Sequence, residues 1–107
     1  MYNRDSFNGR VRTDGKIIKC RGYKISTHEV PHASPTLTRA FFKGATVYLS
    51  CDEPIAIKYN DGRAIMLFKK LGDITVENRK YLREHHKYDT VMEIEFNAAL
   101  FILLSSR

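Results

Sequence analysis

The sequence predicts an α+β domain: an antiparallel β-sheet of five to seven strands, built from hairpins, with two short helices. Asp14-Gly15 and Asp61-Gly62 each lie between β-favouring runs, which is typical of hairpins because glycine adopts positive φ without steric cost. Ser34, and later Asp73 or Thr75, are suited to cap short helices. A length of 107 residues fits a single domain spanning 1–107.

The first quarter of the chain is predicted to form a hairpin followed by a third strand. Residues 1–8 are polar and are expected to be flexible. The runs Arg10–Thr13 and Lys16–Cys20 would pair around Asp14-Gly15, and Tyr23–Ser26 would continue as a strand after Gly22.

The segment that follows Ser34 is predicted to be the first helix. Serine is a favoured N-cap, Pro35 suits the first helical position, and Gly44 is suited to end the helix. Such a helix has little more than two turns, so it would depend on docking Leu37 and Phe41 onto the sheet.

The middle of the chain predicts three strands. Ala45–Ser50 alternates between apolar and polar residues, and Ile55–Tyr59 and Arg63–Phe68 flank a turn at Asn60-Asp61-Gly62. The last of these strands has few polar residues, so it is predicted to be central and covered on both faces.

The last third of the chain is predicted to combine the second helix with further sheet. Apolar residues recur at helical spacing over Thr75–His86, and Asp89–Phe96 alternates as a half-buried strand does. Ala98–Leu104 suits either a buried strand or a short buried helix. The helix residues predicted to face the sheet are Ile74, Asn78, Tyr81, Leu82 and His85. The strand residues predicted to point inward are Met92, Ile94 and Phe96. The predicted core consists of Ile57, Ile65, Leu67, Phe68, Ile94 and Phe96.

The apolar run Ala98–Leu104 also bears on the oligomeric state. It is more apolar than the tail of a short monomer needs, so it either closes the core of its own domain or completes a two-fold interface. We predict a homodimer through this run.

Positive charge is concentrated near the N-terminus. Residues 1–24 hold seven basic and two acidic residues, whereas the other 83 hold 11 basic and 10 acidic ones. Such a basic segment attracts nucleic-acid phosphates or an acidic protein surface, and the alternative is a solvated face. A second basic cluster lies on the predicted helix 75–86. The predicted partner-binding or nucleic-acid-binding residues are Arg10, Arg12, Lys16, Lys19, Arg21, Lys24, Arg79, Lys80 and Arg83.

Neither a metal site nor a catalytic constellation is predicted. His28 and His32 have the spacing of paired zinc ligands on a helix, but Pro31 lies between them and would interrupt that helix. Cys20 or Cys51 with a histidine has no local nucleophile signature, and the glycines are scattered among turns rather than gathered in a phosphate-binding loop. No cofactor is expected.

The cysteines and the apolar runs predict a cytoplasmic protein. The N-terminal residues do not read as a charged-then-apolar leader, so Cys20 and Cys51 are expected to be reduced thiols, with a disulfide as the alternative. The longest apolar run has seven residues, whereas a membrane-spanning helix needs about 20. No membrane association is predicted.

Residues 48–82 resemble a segment of small bacteriophage proteins. The segment has an aromatic residue before a serine, a Pro-Ile-Ala strand, an Asp-Gly turn, an apolar strand and a basic helix that starts at a threonine. The corresponding residues here are Tyr48-Leu49-Ser50, Pro54-Ile55-Ala56, Asp61-Gly62, Ile65–Phe68 and Thr75 with Arg79, Lys80 and Leu82. The threonine and serine run usual at the helix start is reduced to Thr75, and Lys80 stands where histidine is frequent. The resemblance implies a phage or mobile-element origin, in which small non-enzymatic proteins inhibit host machinery, as anti-CRISPR proteins do.

Three functions are consistent with these observations. The first is a non-enzymatic phage-type protein that blocks a host defence or replication complex through a basic surface, with a host protein or nucleoprotein complex as partner. The second is an accessory protein that binds DNA or RNA directly. The third is a small enzyme whose site has no recognised motif.

Overall fold

The structure, a computed structural model, describes residues 15–68 and 72–106. Within these residues, seven strands form one sheet in which they lie side by side in chain order, β1 to β7. The first six are antiparallel neighbours, and β7 is parallel to β6 because a helix carries the chain back between them. The prediction of an α+β fold with five to seven strands and two helices is confirmed, and the sheet departs from purely antiparallel order at this last pair. The strands are β1 (Lys16–Cys20), β2 (Tyr23–Glu29), β3 (Leu37–Phe42), β4 (Ala45–Ser50), β5 (Glu53–Tyr59), β6 (Ala64–Leu67) and β7 (Asp89–Val91).

Two helices, α1 (Asp73–His85) and α2 (Glu93–Ser105), cover different parts of the sheet. Leu82 of α1 belongs to a buried cluster with Leu37 and Met66, whereas α2 contributes Phe96 and Leu100 to the larger cluster. Neither helix is long and apolar enough to cross a membrane. The rest of the larger cluster consists of Cys20, Ile25, Ala40, Ala45, Val47, Leu49, Ile57, Leu67, Leu103 and Leu104.

The first hairpin is formed by β1 and β2. Their two-residue turn is Arg21-Gly22, with φ values of 53° and 88°, and Cys20 pairs with Tyr23 across it. Positive φ at both positions matches the twist of the flanking strands. The predicted strand after Gly22 is confirmed and extends to Glu29. The other predicted strand, Arg10–Thr13, lies outside the described residues.

The predicted helix after Ser34 is wrong, because Leu37–Phe42 forms strand β3. Pro35 lies in a turn in which the Leu37 amide donates to the Ser34 carbonyl oxygen at 3.0 Å. Gly44, at φ 86°, belongs to the β3–β4 turn rather than to a helix end. Both roles require positive φ, so the glycine alone does not separate them. The segment pairs with β4 along its whole length, and this pairing stabilises it as a strand. A two-turn helix would have no comparable stabilisation of its own.

The predicted strand Ala45–Ser50 and the hairpin around Asn60-Asp61-Gly62 are confirmed. In β6, Ala64, Met66 and Leu67 are buried, but the strand lies one place from the sheet edge and β4 is central. Phe68 follows the end of β6 and is 60% exposed, so its predicted place in the core is wrong.

The predicted second helix corresponds to α1, which begins two residues earlier, at Asp73. Neither Asp73 nor Thr75 is its N-cap, because that position is Gly72 and no side chain caps the helix. Asn78 and Leu82 are buried and Tyr81 is half-buried, as predicted, but Ile74 and His85 are exposed.

The predicted strand Asp89–Phe96 is wrong beyond Val91, because α2 begins at Glu93. Phe96 is fully buried, whereas Met92 and Ile94 are exposed. Phe96 and Leu100 follow helical spacing, and the acidic residues Glu93 and Glu95 lie in the first turn, where the helix dipole favours negative charge. Ala98–Leu104 is therefore helical, which decides between the two alternatives left by its composition.

Helix α2 leaves apolar side chains exposed on its outer side, and the homodimer stays a prediction. Leu100, Leu103 and Leu104 close the core of the same chain, while Phe101 and Ile102 are 42% and 66% exposed. We expect light scattering at micromolar concentration to give twice the 12.4 kDa chain mass. Ile102→Glu should return the mass to that of one chain without unfolding it. A wild-type mass of one chain would contradict the prediction.

Candidate functional site

The basic residues predicted on the first hairpin do not lie on one face. Strand alternation places Lys16 on the side of Cys20 and Ile18, where its Nζ lies 3.5 Å from an Asp52 carboxylate oxygen. Lys19 and Lys24 lie on the opposite side and face each other directly across the two strands. The predicted residues Arg10 and Arg12 lie outside the described residues.

Arg21 is a structural link rather than part of a strand face. Its guanidinium donates to Asn97 Oδ1 at 3.3 Å and lies 4.0 Å from a Glu53 carboxylate oxygen. The turn of the first hairpin is thereby held to α2 and to the start of β5.

The basic residues predicted on the second helix form a separate group on α1. Lys80 is exposed, and Arg83 donates to the Thr90 hydroxyl at 3.4 Å. Partial burial, together with the nearby charge of Arg83, lowers the pKa of Arg79. Helix α1 packs across the central strand β4, whereas β1 and β2 lie at the sheet edge. The structure therefore does not merge this group with the hairpin lysines.

The face of the sheet that α1 partly covers carries basic residues in cross-strand rows. His28 pairs with Arg39, which pairs with Tyr48 in the next strand. In the neighbouring row, Phe41 pairs with Thr46, and Thr46 pairs with Lys58. These two rows and the Lys19–Lys24 pair lie within the described strands and contain no acidic residue. We name this surface the basic face and define it by Lys19, Lys24, His28, Arg39, Phe41 and Lys58.

An exposed aromatic ring lies between His28 and Arg39 on the basic face. Phe41 is 52% exposed, its ring centroid lies 5.6 Å from that of His28, and the Arg39 Cζ atom lies 5.1 Å from the Phe41 centroid. Basic surfaces with aromatic platforms suit single-stranded nucleic acids, because bases stack on the ring while cations contact phosphates.

A cleft adjoins this ring because β2 and β3 are paired over a short length. Their described pairing is limited to His28 with Arg39 and Glu29 with Thr38. Beyond this point the strands border a cleft of about 220 Å³, whose lining includes Ser26, His28 and Phe41. The cleft extends the basic face toward the first hairpin.

A second pocket, which we name the inner pocket, lies where the end of α1 meets the sheet. It has a volume of about 180 Å³. Burial, and secondarily the neighbouring Tyr48, raises the pKa of Tyr88. Arg39 and Lys58 belong to the basic face and also line this pocket, so the two are continuous. The polar residues that line the inner pocket are Arg39, Tyr48, Lys58, Tyr81, His85, His86 and Tyr88.

The histidines and cysteines do not form a metal site in the described part of the chain. No group of three or more His, Cys, Asp or Glu side chains within residues 15–68 and 72–106 is arranged to hold a metal ion. His28 lies in β2, and His32 lies in the following turn at φ 64°. Both cysteines are free thiols, and burial raises the pKa of Cys20.

Sequence reasoning missed Arg39, Phe41 and Lys58 as a shared surface. The error followed from the helix predicted after Ser34, because Arg39 and Phe41 point the same way when residues 37–42 form a strand. The spacing of His28 from His32 suggests a metal ligand and gives no sign that His28 shares a surface with these residues. Strand alternation in β3 and β5 is the sequence signal that would have placed Arg39, Phe41 and Lys58 on one surface.

Comparison of the chain with protein-family models, with curated proteins and with solved structures found no match. The resemblance of residues 48–82 to small phage proteins therefore stays a prediction. The function must be inferred from the geometry of the basic face.

Proposed function

We propose that this chain is a non-enzymatic binding protein that holds a single strand of nucleic acid on its basic face. The observation that carries the proposal is the set of acid-free cross-strand rows in which Phe41 lies between His28 and Arg39. Cations in such an arrangement contact phosphates, and an exposed ring accepts a base without regard to its identity.

The pairing of Lys19 with Lys24 supports a polyanionic ligand. Like charges directly opposite each other on neighbouring strands destabilise a sheet. A phosphate backbone lying across them would relieve this repulsion. Both side chains are exposed, so they can reach such a ligand without a change in the fold.

A second candidate function is inhibition of a host defence or replication complex, as in anti-CRISPR proteins. The exposed apolar residues of α2, Phe101 and Ile102 among them, favour a protein partner. The resemblance of residues 48–82 to phage proteins supports the same candidate. In that case the basic face would meet an acidic or nucleic-acid-lined groove of the complex.

Charge reversal tests the proposed function. We expect Lys19→Glu with Lys24→Glu to weaken binding of a fluorescent single-stranded oligonucleotide by at least about tenfold at low salt, because two phosphate contacts become repulsive. Stability should change by less than about 0.5 kcal/mol for each substitution. Fluorescence anisotropy and urea denaturation measure the two effects.

A variant with the same charge change on α1 provides the comparison. Lys80→Glu with Arg83→Glu should lose less affinity than the hairpin variant. A larger loss in the helix variant would mean that the binding surface lies on α1. Unchanged binding in both variants would mean that these four residues form only a solvated face.

The salt dependence separates the two candidate functions. Affinity for a single strand should fall steeply with salt, with a slope of about −0.7 for each contacted phosphate. A protein partner held by apolar packing should be much less sensitive, because charges then act mainly on the association rate. A flat salt response would contradict direct nucleic-acid binding and favour the inhibitor.

A further inference from the structure

The inner pocket brings together positive and hydrogen-bonding groups, and its volume is too small for a nucleic-acid strand. Arg39 of β3 and Lys58 of β5 border it from the sheet, and His85 and His86 border it from the end of α1. No acidic side chain is among the described residues that line it. A pocket with this lining suits a small anion.

Arg39 carries a donor for which the described residues supply no acceptor. Its Nε atom is buried and has no hydrogen-bond partner within the described ranges 15–68 and 72–106. A buried donor without a partner costs free energy, more so when it is part of a charged group. The guanidinium lies against the Phe41 ring, which limits the positions it can take. A planar fork held in this way suits two oxygens of a phosphate.

The two histidines each keep one ring nitrogen outside the contacts that orient them. His85 Nδ1 lies 2.8 Å from the Tyr81 carbonyl oxygen, and His86 Nε2 lies 3.0 Å from the Gly62 carbonyl oxygen. A carbonyl oxygen can only accept, so both of these nitrogens donate. The His85 ring also lies 4.3 Å from the Tyr81 ring, and the His86 ring meets Tyr88 edge-on at 5.6 Å. The rings are therefore held in place, and His85 Nε2 and His86 Nδ1 are left for other partners.

The spacing of the two long cations suits a phosphate between them. Arg39 and Lys58 lie on strands separated by β4, and their rows are offset by two residues along the strand. Two strand spacings combined with this offset place their backbones roughly 12 Å apart. Side chains of their length can meet on an anion that lies between the strands. The Tyr81 hydroxyl donates to the Pro31 carbonyl oxygen at 2.8 Å, which fixes the side of the pocket nearest β2.

From these observations we infer that the inner pocket binds a phosphate group, with Arg39 as the bidentate donor and Lys58 as the second cation. The phosphate has two possible sources: the terminal phosphate of a strand lying on the basic face, or a free phosphorylated small molecule. The first source rests on the proposed function, because Arg39 borders both the basic face and the pocket. The second does not depend on it.

Titration with inorganic phosphate tests the pocket itself. At constant ionic strength, with chloride as the control, we expect saturable amide shifts at residues 39, 58, 85 and 86 in nitrogen-15 spectra. Arg39→Gln should weaken this binding at least tenfold. Lys58→Gln should also weaken it, and this variant provides the test if Arg39→Gln does not fold. Lys19→Glu with Lys24→Glu should leave phosphate binding within about twofold. Absence of saturable shifts, or phosphate binding as tight as that of the wild type in both pocket variants, would overturn the inference.

Matched oligonucleotides identify the source. A single strand with a 5′- or 3′-terminal phosphate should bind at least fivefold more tightly than the same strand with hydroxyl ends, and Arg39→Gln should abolish that preference. The hairpin variant should bind both strands more weakly but keep the preference. Phosphate binding without any preference would assign the pocket to a free phosphorylated molecule. If no strand binds, the proposed function fails, and the inorganic-phosphate titration still decides whether the pocket inference stands.

Discussion

Phe96→Ala is expected to lower the free energy of unfolding by about 3–5 kcal/mol, the cost typical of truncating a buried phenylalanine. Phe96 is fully buried and is the first core residue of α2, where it joins Val47, Leu49 and Ile57 of the sheet. Alanine would remove the ring and leave a cavity between helix and sheet. Urea denaturation followed by circular dichroism measures the change.

Ile94→Ala is the matched control for this prediction. Ile94 lies two residues before Phe96 and is 87% exposed, so its truncation should change stability by less than about 0.5 kcal/mol. A strand over this segment would place both side chains on the same face, whereas α2 directs them differently. Comparable losses in the two variants would contradict the helix and restore the strand predicted from the alternation.

Leu67→Ala is expected to cost about 2–5 kcal/mol. Leu67 is 4% exposed and lies in the cluster covered by α2, next to Phe96 and Leu100. Its loss would open a cavity near the edge of the sheet, where β6 pairs with the short strand β7. Denaturation by urea gives the magnitude, and a cost below about 0.5 kcal/mol would mean that β6 is misplaced.

Phe68→Ala tests the neighbouring residue, which follows the end of the strand. Phe68 is 60% exposed, so its truncation should have a small effect despite the larger side chain. The sequence predicted both residues in the core. A large loss of stability for Phe68→Ala with a small one for Leu67→Ala would mean that Phe68, and not Leu67, faces the core.

The local turn chemistry predicted some elements and not others. Asn60-Asp61-Gly62 identified the β5–β6 hairpin because this turn needs residues that tolerate unusual backbone angles. The turn between β4 and β5 gave no such signal, because Cys51 and Asp52 adopt positive φ at 51° and 66° without a glycine. Hairpins made by less typical residues depend on pairing across the sheet, which a local pattern does not report.

Segments that suit two structures were decided by their neighbours. Residues 37–42 carry helix-start and helix-end signals, yet pairing with β4 makes them a strand. Residues 92–96 alternate as a strand does, yet burial of Phe96 and Leu100 against the sheet makes them part of a helix. In both cases tertiary packing outweighs a local preference, because propensity differences are small compared with the burial of large apolar side chains.

The sequence by itself determined the fold class, the hairpin around Asp61-Gly62, the helix near residues 75–86 and the concentration of positive charge in the first 24 residues. These depend on composition and on contacts between near neighbours in the chain. The tertiary structure alone decided which cations share a surface. Lys16 and Lys19 are three residues apart and lie on opposite faces, whereas His28 and Arg39 are brought together from separate strands. Strand alternation separates the two lysines once the segment is a strand. Register brings His28 to Arg39, and register depends on partners that are distant in the sequence.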